Sequence, residues 1–210
     1  YPKPYIPRRY SFEIDERVNA EGEVVAPLVE SQARTVLAQV GEKGFEAIAV
    51  CLLWSIANPA HEQRLGELIE ADLPGIPFTL SHRLNPILRE YRRASSTAID
   101  ASIKPLMQQH LRELETDLRD GGYRGEILVS TTIGGCLDIA GVVERPIHTV
   151  RSGPAMAPVA ASHYASVETD SPSVLVVDTG GTTFDVGLVR DGTIATTQET
   201  WLGDKFTGHM

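Results

Sequence analysis

The sequence predicts a mixed α/β fold, with packed helices alternating with short apolar strands. Three observations carry this prediction. Residues 29–43 and 98–120 set apolar side chains at three-to-four spacing, the mark of helices with one buried face. Phe45 to Trp54 and Val174 to Val177 are apolar runs with the length of strands. Glycine-bearing turns punctuate the pattern, and helix followed by buried strand argues for α/β layers.

Taken in order, residues 1–10 are rich in Pro, Arg and Tyr and read as an extended segment. Residues 11–18 alternate apolar and polar side chains, as a half-exposed strand does, and a turn at 19–22 leads back into a short strand at 23–28. The carboxylates Glu13, Asp15 and Glu16 suggest either a metal site or, as the better reading, a solvated strand face. The helix at 29–43 stops at Gly41 and Gly44, and the run 45–54 reads as a strand buried on both faces. Asn58 is placed as N-cap and Pro59 as the first helical residue of a helix that buries Leu65, Leu68 and Ile69. Phe78 to Leu80 is a short strand. The helix at 98–120 contains Pro105, which predicts a kink or break, and Gly121-Gly122 ends it. Residues 125–136 are a strand and a glycine turn, either a ligand loop or a plain connection. Residues 146–150 read as a brief strand, 151–154 as a tight turn, and 155–165 as a helix despite Pro158. Strands then run over 174–177, 184–189 and 193–200, the last two joined by an Asp191-Gly192 turn.

A chain of 210 residues holds one large domain or two small ones, and 42% hydrophobic with 22% charged residues is ordinary for a globular protein. The net charge of −9 argues against nucleic acid or an anionic membrane as partner. Of the two cysteines, Cys51 lies in an apolar run and reads as a buried thiol, which fits a reducing, cytoplasmic setting. No zinc-type spacing, membrane-length run or signal peptide appears. Both ends read as the middle of a longer protein, so the chain is expected to be a fragment.

Two stretches carry chemistry. In the first, the strand ending at Asp178 meets the turn Thr179-Gly180-Gly181-Thr182-Thr183, and a second strand returns through Asp185. Adjacent glycines let a backbone approach an anion closely, the threonines add hydroxyl donors, and a carboxylate at the strand end can hold a metal-bound water. An ordinary Gly-Gly hairpin is the competing reading. In the second, residues 81–97 gather His82, Arg89, Glu90, Arg92, Arg93 and several hydroxyls. Arginines in such a cluster bind carboxylate or phosphate, or else form an exposed helix start with a Glu90–Arg pair.

The order D-x-G-G-T-T-x-D-V over 178–186 resembles the second phosphate loop of the actin, sugar-kinase and heat-shock ATPase superfamily. Together with 49–55, 58–62, 81–82, 89–97 and 152–155, it resembles the hydantoinase A/5-oxoprolinase family. The fold this implies is an actin-like ATPase (ribonuclease H-like) fragment with mixed sheets. Residues 1–150 would be the C-terminal part of a first family domain and 151–210 the start of a second. The implied function is ATP-dependent activation and hydrolysis of a cyclic amide of the hydantoin or 5-oxoproline type. The alternatives are an ATP-dependent ketone (acetone or acetophenone) carboxylase subunit, and a non-catalytic regulatory or assembly module.

By the same resemblance, Gly180, Gly181, Thr182 and Thr183 cradle phosphates of ATP. Asp178 holds magnesium (Mg2+) or positions an attacking oxygen, and Asp185 joins it or pins the hairpin. Ser152 and Gly153 form a ligand loop or a structural turn. Arg89, Glu90, Arg92 and Arg93 line a substrate or phosphate cleft or lock a domain interface. Expected partners are a small cyclic amide or ketone, an N-terminal part of the same protein carrying a first phosphate loop, and a hydantoinase B-type subunit. Without that first loop the chain alone is expected to be inactive. Thr131 and Thr132 stand where many relatives carry amide side chains, which leaves the substrate subgroup open.

Overall fold

The computed structural model describes residues 5–197, which form two compact units divided at 109/110, inside one long helix. The family boundary drawn from sequence at 150/151 falls elsewhere, within the second unit.

The first unit opens with β1 (Arg17–Val18) and β2 (Val24–Ala26), an antiparallel pair. Asn19 closes the expected turn, accepting the Glu23 N–H at 2.8 Å and donating to its carboxylate at 2.9 Å. Of the strand expected over 11–18, only the last two residues pair, because alternation makes a strand only where a partner backbone is present. Helix α1 (Glu30–Glu42) buries Ala33, Leu37 and Val40, as its spacing predicts. Strand β3 (Ile48–Val50), helix α2 (Ala60–Asp72) and strand β4 (Phe78–Leu80) then form a βαβ unit, with β3 and β4 parallel and Ile48 opposite Phe78. The run 45–54 is therefore strand over three residues and is not buried on both faces, since Ala49 is exposed. A turn at Trp54, with φ of 56°, takes the chain out of the sheet. At the start of α2 the cap is shifted by one residue from expectation. Pro59 occupies the cap position, and Asn58 accepts the Ala60 N–H from one residue earlier, at 3.1 Å. Ala33, Leu37, Val50, Leu65, Leu68, Ile69 and Leu80 make the core of this unit.

One turn of helix, α3 (Ser81–Leu84), leads to α4 (Glu90–Asp120). Helix α4 runs uninterrupted through Pro105, where a kink or break is expected from sequence. Proline removes one ladder bond, but side chains pin the turn before it. Ser102 donates to the Ile99 carbonyl at 2.7 Å, and Lys104 donates to Phe78 O and Thr79 Oγ1, both at 2.8 Å.

In the second unit α4 ends at the expected glycines. Gly122 has φ of 91°, its N–H reaches Arg119 O, and the Tyr123 N–H reaches Leu118 O, a Schellman closure. Strands β5 (Leu128–Ser130) and β6 (Cys136–Asp138) pair antiparallel, so the glycine turn at 131–135 is a hairpin turn. Helix α5 (Ile139–Glu144) is capped by Asp138, which accepts the Gly141 N–H at 2.8 Å. The strand expected at 146–150 is instead a 3-10 helix, Pro146–Thr149, with Thr149 donating to the Pro146 carbonyl. The tight turn expected at 151–154 contracts to one left-handed residue, Arg151 (φ 61°), and helix α6 (Ser152–Glu168) starts at once. Strands β7 (Val174–Thr179), β8 (Phe184–Arg190) and β9 (Thr193–Ile194) complete an antiparallel sheet in that order. Positions 198–200 of the expected third strand lie outside the described residues. Asp191 (φ 50°) and Gly192 (φ 73°) make the turn that Asp-Gly predicts. Among the described residues no helix is long and apolar enough to cross a membrane.

Leu68 is 1% exposed in the first core. Leu68→Ala is expected to lower unfolding free energy by about 2–5 kcal/mol, read as an earlier urea midpoint with an unchanged slope.

Candidate functional site

The register of β7 against β8 sets Asp178 directly opposite Asp185 and Thr179 opposite Phe184. Side chains alternate along a strand, so Val174, Val176 and Asp178 share a face with Val189, Gly187 and Asp185. Helix α6 lies against this face: a Cβ added at Gly187 would sit 3.3 Å from Pro158 Cβ and 2.7 Å from Val176 Cγ1. Glycine at 187 is thus a packing requirement.

The glycines of the turn are different. Neither Gly180 nor Gly181 has a positive φ. A Cβ at Gly181 would meet nothing within 4 Å, and one at Gly180 would meet only Thr183 at ordinary contact distance, 3.6 Å or more. The turn is closed by the Gly180 N–H donating to Thr183 O at 3.0 Å. Gly180, Gly181, Thr182 and Thr183 are all exposed, as is Asp178, and Asp185 is half-buried. Neither backbone strain nor crowding calls for glycine here, and the space above the turn is open.

Ser152 and Gly153 are the first two residues of α6, so their N–H groups belong to the unpaired set at a helix start. Ser130 Oγ donates to Ser152 Oγ at 3.4 Å, and Gly153, like Gly181, has open space where a Cβ would be. A link of five residues, 169–173, joins the end of α6 to Val174, and Pro172 and Ser173 bind the 191–192 turn at that same end. With Pro158 level with Gly187, β7 has to run back along α6, because five linking residues could not span the opposite arrangement. The Gly180-Gly181 turn and the first turn of α6 therefore lie at one end of this unit. Its positive helix end complements anionic ligands and the two aspartates alike.

In the first unit the arginine-rich stretch divides. Arg89 (φ 76°) is exposed, just before α4. Glu90 opens α4, with its carbonyl 4.0 Å from Cys51 Sγ, and Arg92 is half-buried in the first turn. Arg93 is fully buried. Its guanidinium donates to Ser81 Oγ at 3.0 Å, Ile87 O at 3.0 Å and Leu52 O at 2.6 Å. The exposed helix start with a Glu90–Arg pair does not describe this residue.

Arg93 leads to residues that sequence reasoning missed. Glu62 is 0% exposed and accepts from Leu52 N–H (2.8 Å), Ser81 Oγ (2.6 Å), His82 N–H (3.0 Å) and His82 Nδ1 (2.7 Å). A signal existed: Glu62 stands three and seven residues before Leu65 and Ile69, on the apolar stripe of α2. A carboxylate on a buried stripe needs donors from elsewhere in the chain. Burial pushes the Cys51 thiol beside this cluster up, and the neighbouring Ser81 and Arg93 only partly oppose it.

The two glycine classes are separable. Gly187→Ala is expected to cost about 1–3 kcal/mol, whereas Gly181→Ala leaves the thermal midpoint unchanged, both read by calorimetry. At pH 8 a thiol reagent is expected to react with exposed Cys136 well before half-buried Cys51, whose thiol is pushed up by burial.

A profile of the hydantoinase/oxoprolinase family matches residues 93–207, and one of the hydantoinase/oxoprolinase N-terminal region matches residues 1–73. The acetophenone carboxylase gamma subunit of Aromatoleum aromaticum is 34% identical over 198 residues, 92% of this chain and 27% of the relative. The caprolactamase subunit alpha of Pseudomonas jessenii is 30% identical over 194 residues, 91% of this chain and 28% of the relative. Among solved structures, ATP-dependent caprolactamase from Pseudomonas jessenii matches with a TM-score of 0.85 and 28% identity, over 100% of this chain and 30% of that one. Nucleotide-free acetone carboxylase matches with a TM-score of 0.83 and 26% identity, over 100% of this chain and 29% of that one. The chain spans under a third of the length of these relatives. The likeness bears out the expected α/β, actin-like fold class, and with a family profile covering more than half of its residues the chain belongs to the hydantoinase/oxoprolinase family.

Proposed function

We propose that this chain is part of an enzyme that uses ATP to activate and hydrolyse a cyclic amide of the hydantoin, 5-oxoproline or lactam type. The observation that carries the reading is the open space at Gly180 and Gly181, where neither φ nor packing requires glycine. Room for a closely approaching anion accounts for both positions. In this reading the backbone N–H groups and hydroxyls of Gly180, Gly181, Thr182 and Thr183 hold phosphate oxygens. The N–H groups of Ser152 and Gly153 add to the positive end.

Two carboxylates directly opposite on one strand pair repel, and a cation relieves that repulsion. The donor set thus fits magnesium, with Asp178 as its holder, directly or through water, and Asp185 beside it. Magnesium, when bound, neutralises phosphate charge. The chain's own residues orient the phosphates and keep the phosphoryl-donor end of the nucleotide fixed. Arg89, Glu90 and Arg92 are proposed to contact the substrate, and Arg93 to hold their helix in place from inside. A cytoplasmic location, a hydantoinase B-type partner subunit, and a boundary between family domains at 150/151 belong to the same proposal.

A ketone carboxylase subunit is the second reading, favoured by the 34% identity to the acetophenone carboxylase gamma subunit. A non-catalytic module has no use for both carboxylates and both hydroxyls around an open turn.

The full-length protein is expected to bind Mg-ATP by calorimetry, and Asp178→Ala or Gly181→Val to weaken it at least about tenfold. Hydantoin, 5-oxoproline, caprolactam, and acetone with bicarbonate would each be tried for substrate-dependent ADP release. Bicarbonate dependence selects the second reading. Full-length protein that neither binds Mg-ATP nor consumes it with any of these compounds refutes both.

A further inference from the structure

The Glu62–His82 pair is not used by the phosphate-binding reading, and it has one feature that a folding clasp does not explain. The His82 side chain is 10% exposed, and its Nε2 is buried with no hydrogen-bond partner among the described residues. Every other polar atom around it is engaged. Glu62 Oε1 takes the Leu52 N–H and the Ser81 hydroxyl, and Oε2 takes the His82 N–H and Nδ1. Ser81 Oγ, in donating to Glu62, is left to accept from Arg93 Nε at 3.0 Å. The carboxylate and guanidinium do not pair with each other. Both are spent on fixing Ser81, Leu52 and the imidazole.

A carboxylate oxygen accepts, so Nδ1 carries the proton and Nε2 of the neutral ring carries the lone pair. An imidazole oriented by a buried carboxylate at one nitrogen and left without a partner at the other is the arrangement of a proton acceptor. An orphaned buried nitrogen costs stability, and a protein that hydrogen-bonds everything else in the cluster has a reason to leave it. The four stretches that build the cluster, 49–55, 58–62, 81–82 and 89–97, are those that carry the family resemblance outside the hairpin and the 152–155 turn.

We propose that Glu62 and His82 form a proton-transfer dyad of the full-length enzyme, with His82 Nε2 taking a proton from an O–H group of water or substrate. The O–H bond breaks, its electron pair stays on oxygen, and the Nε2–H bond forms. The imidazolium positive charge is balanced by Glu62. Glu62 is a positioning residue and acts only through His82. Nε2 is buried in this structure, so the proposal includes a local opening that exposes it, and the labelling below reads that opening directly. The inference rests on the enzymatic reading above, but its first test does not need a substrate.

Full-length protein is treated with diethylpyrocarbonate at pH 7, which acylates a neutral imidazole nitrogen, and its histidine peptides are weighed. The expected result is acylation of His82 along with exposed His110 and His163. Labelling of those two without His82 in the native protein overturns the dyad, because Nε2 is then beyond reach of any external group. The second test uses the compound that gives substrate-dependent ADP release. His82→Asn keeps a donor to Glu62 and lacks Nε2. It is expected to lower kcat at least about 100-fold and to flatten the pH–rate profile, with Mg-ATP affinity and thermal midpoint close to wild type. A His82→Asn protein with wild-type kcat refutes the dyad. Failure of the wild type to bind Mg-ATP refutes the enzymatic reading instead and leaves the labelling result standing.

Discussion

The backbone pairing of β7 with β8 fixes more of the candidate site than any side chain does. A strand register is all-or-none, since a slip of one residue turns every side chain to the other face. The observed register, Val176 opposite Gly187 and Asp178 opposite Asp185, does two things at once. It puts the one position with no side chain where α6 comes closest, at Pro158. It also carries both carboxylates to the end of the sheet where the chain turns through Gly180 and Gly181. A side chain at 187 would push helix and sheet apart, and a slipped register would separate the aspartates. Packing and site geometry therefore depend on the same alignment.

The first unit depends on a different constraint, a charge taken out of water. Glu62 has no exposure and is held by four donors from Leu52, Ser81 and His82. Burying such a group is costly unless each lone pair is met, so the residues that meet them are tied to one geometry. That couples the start of α2, the end of β4 with α3, and the first turn of α4 through Arg93. Residues far apart in sequence are thereby made mutually dependent, which is how a polar cluster confers specificity on a small layer of apolar core.

Much of this was legible in the sequence, and the failures have physical reasons. Helices α1, α2 and α6, the Gly121-Gly122 stop and the Asp191-Gly192 turn follow from local rules that act within a few residues. The strand lengths at 11–18 and 45–54 do not, because pairing depends on a partner that periodicity cannot see. The uninterrupted passage of α4 through Pro105 reflects bonds from Lys104 to β4, a tertiary effect. The phosphate-loop candidates could be named from residue order, but only coordinates distinguish Gly181, which has open space, from Gly187, which has none. The place of Glu62 on the apolar stripe of α2 was legible, but its donors were not, since they lie ten to twenty residues away from it.

The proposed role of 180–183 is a phosphate cradle. A crystal structure of the full-length protein with magnesium and a non-hydrolysable ATP analogue tests it most directly. Phosphate oxygens are expected within hydrogen-bond distance of the Gly180–Thr183 backbone N–H groups, and the metal near Asp178. Nucleotide phosphates bound elsewhere, with this turn empty, would contradict it.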